Sequence, residues 1–272
     1  MDEINSVDEK NYEKLEQISE VINNLCFNAG SEIMKYYGIS SFKVKSDGSP
    51  VTKADIEANK IIQEGLLKNF KNIPVISEEG LLSCDGDLFF LVDPLDGTKE
   101  FLEENEEFTV NIALIFKGIP ILGSIYLPKK NLMYWTNGKE SYSKNSKNKK
   151  IIKVSEIDRK YYKIEVSRSH MDKKTEKFVR LLNPLKINIA GSSLKICNIS
   201  NGNSDLYPRF NNVFAWDIAA GHAILRNAGG EIFKINGEIL TYSNSNLLID
   251  SFLAFSRKTL PEEIFKSVKK IR

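Results

Sequence analysis

The stretch Leu88–Phe101, LFFLVDPLDGTKEF, decides how the rest of the chain is read. Its first five residues, Leu88 to Val92, are aliphatic or aromatic and long enough for a buried strand. Pro94 lacks a backbone donor and predicts the end of that strand at Asp93. A turn through Pro94 and Leu95 then brings Asp96 back beside Asp93. Gly97 permits close backbone approach, and Thr98 suits the start of a short helix. Two carboxylates, a free carbonyl and a helix N-terminus converge on one small volume. With no Cys or His among these donors, the implied ion is hard, Mg²⁺ or a near relative, rather than zinc. A helix start beside such an ion is a place for phosphate.

Asp-Pro and Asp-Gly pairs also cap ordinary turns. Three further acidic clusters at element ends argue for a shared site instead: Ser77-Glu78-Glu79-Gly80 after a strand, Trp216-Asp217 at a helix start, and Asp47-Gly48-Ser49-Pro50 ahead of another helix. Asp217 precedes a small-residue face, Ala219-Ala220-Gly221-Ala223, that permits tight packing behind it, and Trp216 reads as a core anchor. Glu78, Asp93, Asp96, Asp217 and the Leu95 carbonyl then supply oxygen ligands for two or three Mg²⁺ ions. Such a clamp stabilises charge on a phosphoryl group and activates water for direct attack. No nucleophilic serine motif, H-E-x-x-H or Walker A sequence competes with it. Glu79 points to the other strand face from Glu78, a supporting position. His222, five residues beyond Asp217, points away from it, which gives it a packing or surface role.

A chain of 272 residues with 42% hydrophobic and 27% charged residues has enough apolar material for a large core. Its net charge of +2 argues against a nucleic-acid polymer as partner. Cys26, Cys84 and Cys197 are far apart and odd in number, so a reducing compartment and no disulfide framework are expected. The polar, acidic start MDEINSVDEKNYEK lacks the parts of a secretory signal, and the long apolar run Asn111 to Leu127 is broken by Lys117-Gly118 and Pro120. A cytoplasmic protein without a transmembrane segment is expected.

Tyr12 to Tyr37 carries an apolar stripe at helical spacing, and Val51 to Phe70 repeats it, with Ser49 as N-cap and Pro50 at the first helical position. Strands follow at Ile73–Ser77, Leu88–Asp93, Phe108–Phe116, Ile119–Leu127 and Leu132–Thr136, the third and fourth pairing antiparallel about Lys117-Gly118. Glu103-Glu104-Asn105-Glu106-Glu107 and the polar, basic SYSKNSKNKK (Ser141–Lys150) both read as solvated loops. A boundary after the second divides the chain into an α+β part, 1–150, carrying most metal ligands, and an α/β part, 151–272. The latter alternates strand Lys163–Ser167, helix Lys173–Leu182, strand Leu185–Ile189, helix Ser193–Ser200, strand Leu206–Arg209 and helix Asp217–Ala228.

The motifs SEEG, VDPLDGTKEF and WDIAAGH resemble the Mg²⁺-dependent, Li⁺-sensitive phosphatase superfamily that includes inositol monophosphatases and 3′(2′),5′-bisphosphate nucleotidases. Lys45–Thr52 (KSDGSPVT), Ser167–His170 (SRSH), Gly191–Lys195 (GSSLK) and Leu206–Phe210 (LYPRF) are similar to its bacterial bisphosphate nucleotidase branch. The resemblance implies a layered α-β-α-β-α sandwich with the active site between the two parts. It implies Glu78, Asp93, Leu95, Asp96 and Asp217 as metal ligands, with Glu78 also counted as catalytic. Asp47 and Thr98 would orient and deprotonate the attacking water, and Gly97-Thr98 would hold the scissile phosphate. His170, Ser192, Lys195 and Arg209, with Asp217, would surround the nucleotide, Lys195 and Arg209 neutralising the phosphate that is not cleaved. Alternatives stay open at three of these: His170 as a helix cap, Lys195 as a solvated lysine, Arg209 paired with an acidic neighbour.

The activity so implied is hydrolysis of the 3′-phosphate of adenosine 3′,5′-bisphosphate to AMP and phosphate, with 3′-phosphoadenylyl sulfate as a second substrate, in support of sulfur metabolism. The partner is a small nucleotide, and monomer and homodimer are both open. The rivals are an inositol monophosphatase or broad sugar phosphatase, and a metal-binding regulator without turnover.

Overall fold

The computed structural model describes residues 9–39, 41–45, 48, 50–81, 83–155, 162–169 and 171–271. Five layers stack upon one another. The first holds helices α1 (Glu9–Ile33) and α2 (Lys53–Asn69), joined through a small antiparallel hairpin of β1 (Phe42–Val44) and β2 (Pro50–Thr52). The second is a seven-stranded sheet in the order β3 (Val75–Ser77), β4 (Leu88–Asp96), β5 (Thr109–Phe116), β6 (Ile119–Leu127), β7 (Leu132–Thr136), β8 (Ser141–Lys144) and β9 (Lys149–Ile152), with the short helix α3 (Thr98–Leu102) after β4. Helices α5 (Leu194–Ser200) and α6 (Ala215–Ala228) form the central layer. A five-stranded sheet follows, ordered β11 (Lys186–Ala190), β10 (Lys163–Ser167), β12 (Leu206–Arg209), β16 (Phe252–Phe255) and β14 (Glu231–Lys234). Helices α4 (Lys173–Leu182) and α7 (Glu262–Lys269) cover its far face, and a two-stranded ribbon pairs β13 (Val213–Phe214) with β15 (Leu248–Ile249).

Alternation along β4 explains why it is apolar throughout. Phe90 and Val92 pack beneath α1 and α2, while Phe89 and Leu91 face the central helices. Helix α6 lies between the two sheets, so it is buried on nearly every side and its sequence, AWDIAAGHAILRNA, has almost no polar face. His222 on α6 is buried against Tyr242 and Glu231, in keeping with the packing role read for it.

Four local expectations are corrected. β4 does not stop at Asp93: it runs to Asp96, because Pro94 falls in a register break between the pairs Asp93↔Asn111 and Asp96↔Thr109, where no ladder donor is required. α2 starts at Lys53, with Pro50 in β2 and Thr52 as N-cap; the Thr52 side chain accepts from Ala54 N–H while Asp55 accepts from Thr52 N–H, a capping box. Ser49 lies outside the described residues. The run Ser141–Lys150 contains strands β8 and β9 at the sheet edge, and its inward positions are the serines Ser141 and Ser143, which hide the alternation from a hydrophobicity reading. Ser141 Oγ donates to Ile224 O at 2.6 Å, anchoring this edge to α6. Finally, Glu107 is not solvated but half-buried between loops.

Candidate functional site

Parallel pairing of β3 with β4 sets Ser77 beside Val92, so the residues that follow, Glu78 just past β3 and Asp93 still within β4, lie at the same end of the sheet. Glu78 N–H donates to Val92 O at 3.2 Å, which fixes that junction. Asp217 reaches the same point from the first turn of α6, where its Oδ2 accepts from Phe214 N–H at 3.1 Å. Carboxylate oxygens of Glu78, Asp93 and Asp217 lie within 4.8 Å of one another. Asp96 stands beside this cluster, with Oδ2 accepting from Ser193 N–H at 2.8 Å and Ser193 Oγ at 2.9 Å. Leu95 N–H donates to Asp93 Oδ1 at 3.1 Å, and Leu95 O accepts from Thr98 Oγ1 at 3.2 Å.

Crowding shows in the electrostatics. Burial first, then the charges of Glu78, Asp96 and Asp217, hold Asp93 well above the usual carboxylate range. Burial, with Asp96 and Glu78, does the same to Asp217. Burial also raises Asp96 and Glu78, against the opposing pull of Lys195 on the former and Lys45 on the latter. The Lys45 ammonium bridges Glu78, at 2.6 Å, and Glu79. Buried oxygens that raise one another in this way are relieved by a cation, and an all-oxygen donor set fits a hard divalent ion such as Mg²⁺. Glu79, tied to Lys45 and to Asn59 through its backbone, supports the cluster from outside.

Thr98 has a partner that sequence reasoning missed. Its Oγ1 donates to Asp55 Oδ1 at 3.1 Å, and Asp55 is buried at the head of α2 with its other oxygen on Thr52. Burial raises Asp55 above its ordinary pKa. Asp47, expected in that place, lies outside the described residues, as does His170. The signal for Asp55 was present as T-x-x-D before a helical stripe, a capping pattern that also explains its position.

Gly97 caps α3 at φ 89°, and a Cβ there would stand 3.3 Å from Glu107 O, so only glycine fits without strain. A cavity of about 490 Å³ opens above these groups, with Asp93, Asp96, Thr98, Ser192, Lys195 and Arg209 in its walls. Ser192 is held at φ 40°, and its buried Oγ has no partner among the described residues. Lys195 is 4% exposed, donates to Ser192 O at 2.7 Å and lies 5.2 Å over the Tyr207 ring, so it is not a solvated lysine. Arg209 donates to the Asn211 and Asn212 carbonyls, at 3.4 and 3.5 Å, and its charge acts on Asp217.

The loop that carries Ser192 is held from the other sheet. Glu107 Oε2 accepts from Gly191 N–H at 2.7 Å and from Arg168 Nε and Nη2 at 3.1 and 3.0 Å. Glu100 accepts from Ser169 Oγ at 2.7 Å. Ser193 completes the link, since its hydroxyl donates to Asp217 O at 2.6 Å or to Asp96 while accepting from Asn111 Nδ2 at 2.8 Å. These partners were illegible in the sequence because all but the Ser193–Asp217 contact join residues 61 to 97 positions apart.

The profile of the inositol monophosphatase family matches residues 14–272. The 3′(2′),5′-bisphosphate nucleotidase CysQ of Shigella flexneri is 41% identical over 226 residues, 80% of this chain and 91% of that protein. Its namesake from Buchnera aphidicola is 39% identical over 255 residues, 90% of this chain and 92% of that protein. The crystal structure of CysQ from Bacteroides thetaiotaomicron superposes with a TM-score of 0.77 at 33% identity, covering 89% of this chain and 98% of that one.

Proposed function

The chain belongs to the inositol monophosphatase family, and from that premise we propose that it is a 3′(2′),5′-bisphosphate nucleotidase. Its substrate in this reading is adenosine 3′,5′-bisphosphate, hydrolysed to AMP and phosphate, with 3′-phosphoadenylyl sulfate as a second substrate. The observation that carries it is one cavity whose lining holds both a carboxylate cluster and Lys195, Arg209 and Ser192, the last with a buried hydroxyl that has no partner among the described residues. A monophosphate ester needs the carboxylates and their ions only. A second phosphate gives the cations their use.

Glu78, Asp93, Asp96, Asp217 and the Leu95 carbonyl would hold two or three Mg²⁺ ions. Bound Mg²⁺ would supply positive charge to the phosphoryl oxygens and acidify the attacking water. Thr98 Oγ1, placed 3.1 Å from Asp55 Oδ1 and 3.2 Å from Leu95 O, would orient that water, and Asp55 would take the role that the resemblance assigned to Asp47. Backbone groups of Gly97 and Thr98 hold the scissile phosphate, and Asp217 contributes from the facing helix. His170 joins the nucleotide contacts on the resemblance alone. The active site would then lie where the 1–150 and 151–272 parts meet. No helix among the described residues is long and apolar enough to cross a membrane, and the free thiols of Cys26, Cys84 and Cys197 suit action in the reducing cytoplasm.

The test is phosphate release from adenosine 3′,5′-bisphosphate and from inositol 1-phosphate, side by side, in Mg²⁺. Preference for the nucleotide is expected; preference for the inositol ester would return the protein to the sugar-phosphate rivals.

A further inference from the structure

Part of the cavity lining differs in chemistry from the carboxylates and the cations. It is built by the ribbon of β13 and β15, in which Phe214 pairs with Leu248. Both side chains line the cavity, yet Phe214 is 39% exposed and Leu248 is 45% exposed. Two neighbouring large apolar side chains at the edge of a charged site offer a flat apolar surface to a ligand that also carries charge. The Phe214 ring is also fixed. It stacks on Trp216 with centroids 4.7 Å apart and planes 12° from parallel, and Trp216 is 4% exposed and anchored at the start of α6. A rigid aromatic plate therefore stands next to Asp217, within the same cavity as Arg209.

We infer that Phe214, seated on Trp216 and flanked by Leu248, is the platform on which the nucleobase of the substrate lies, and that it sets the preference for a nucleotide over a phosphorylated sugar. The inference rests on the nucleotidase reading above and deepens it. Carboxylates, cations and an aromatic plate in one cavity match the parts of a nucleoside bisphosphate: the phosphate to be cleaved, the phosphate to be kept, and the base. Stacking suits this task because a planar purine and a held phenyl ring lose little freedom on meeting. It is tolerant of base identity, since every base has a π-face.

The experiment compares adenosine 3′,5′-bisphosphate with ribose 3,5-bisphosphate, which keeps both phosphates and lacks the base, on wild type, Phe214→Ala, Phe214→Leu and Phe214→Tyr. Base–aromatic stacking of ordinary strength predicts a rise in KM of about tenfold or more for the adenosine substrate in Phe214→Ala. The rise should be confined to that substrate and absent in Phe214→Tyr, with Phe214→Leu closer to Ala than to Tyr. Equal rises on both substrates, no rise on either, or full rescue by Leu would overturn the platform. If wild type turns over neither compound, the nucleotidase reading itself fails. AMP binding by calorimetry then decides the platform alone: a loss of about tenfold in Phe214→Ala supports it, and an unchanged affinity overturns it.

Discussion

Replacing Asp93 by Asn should stabilise the protein in chelator and lose that advantage when Mg²⁺ is added. Asp93 is 1% exposed, and it presents an oxygen within 4.8 Å of oxygens from both Glu78 and Asp217. Two unit charges at that separation repel by about 3 kcal/mol at an effective dielectric of about 20. Lys45 on Glu78 and Lys195 near Asp96 offset part of this, which leaves a net relief of about 1 to 2 kcal/mol on removing one charge. Asn has nearly the same volume, and its Oδ1 can still accept from Leu95 N–H, now at 3.1 Å. A change of that size shifts the melting temperature by about 2 to 8 °C in a chain of this length. The pH dependence has a definite sign. Asp93 is held well above its ordinary range, chiefly by burial and then by Glu78, Asp96 and Asp217, so the folded protein binds more protons than the unfolded one. Wild-type stability in chelator therefore falls as pH rises from the unfolded value of about 3.9 through the raised folded one. The Asn variant escapes that loss, and the gap between the two should widen with pH. Calorimetric melts of both proteins from pH 5 to 9, in chelator and in saturating Mg²⁺, measure it. A variant that melts below wild type in chelator at pH 8, or equal Mg²⁺ stabilisation of both proteins, would refute the argument that these carboxylates await a cation.

Asp55→Asn should lower kcat by about 100-fold or more, the ordinary share of a positioned acid–base group, while calorimetric Mg²⁺ affinity is retained; a larger loss in Asp47→Asn would hand the role back to Asp47. Arg209→Ala should reduce kcat/KM for adenosine 3′,5′-bisphosphate by about 30- to 150-fold, the worth of a charge-assisted contact to a desolvated phosphate, and leave 3′-AMP nearly unchanged. Equal losses on the two substrates would mean that Arg209 serves the fold. Gly123→Ala should lower the melting temperature by several degrees, because an added Cβ on β6 runs into the Ala220 backbone of α6 and overpacking of this kind costs about 1 to 3 kcal/mol. An unchanged melt would mean that the helix can shift off the sheet.

What could be read from the sequence alone was whatever is written within a few neighbouring residues. The apolar run into Asp93, the Gly-Thr pair after Asp96, the hairpin about Lys117-Gly118 and the amphipathic helix Lys173–Leu182 are local patterns, and the structure has each of them. The convergence of Glu78, Asp93 and Asp217 was legible for the same reason: acidic residues at element ends leave a trace in composition and spacing even when the elements are far apart. The five layers followed from the resemblance of whole motifs, not from periodicity.

Tertiary structure decided the rest, through contacts that leave no local mark. Ser141 and Ser143 are buried in β8, between β7 and β9, where Ile224 of α6 offers a carbonyl to Ser141, and nothing near residue 141 announces it. Glu107 looks like one acid in a charged run until Gly191 and Arg168 arrive from the second sheet. Asp55 is the capping-box partner of Thr52, and the oxygen that it turns to Thr98 acquires meaning only when α2 packs beside β4. Phe214 reads as one more apolar residue, and only the ribbon with β15 leaves its ring open in the cavity. Turn chemistry and periodicity act over a handful of bonds, whereas a carboxylate's partner or a ring's exposure is set by which surfaces meet when the layers close, and that is a property of the whole chain.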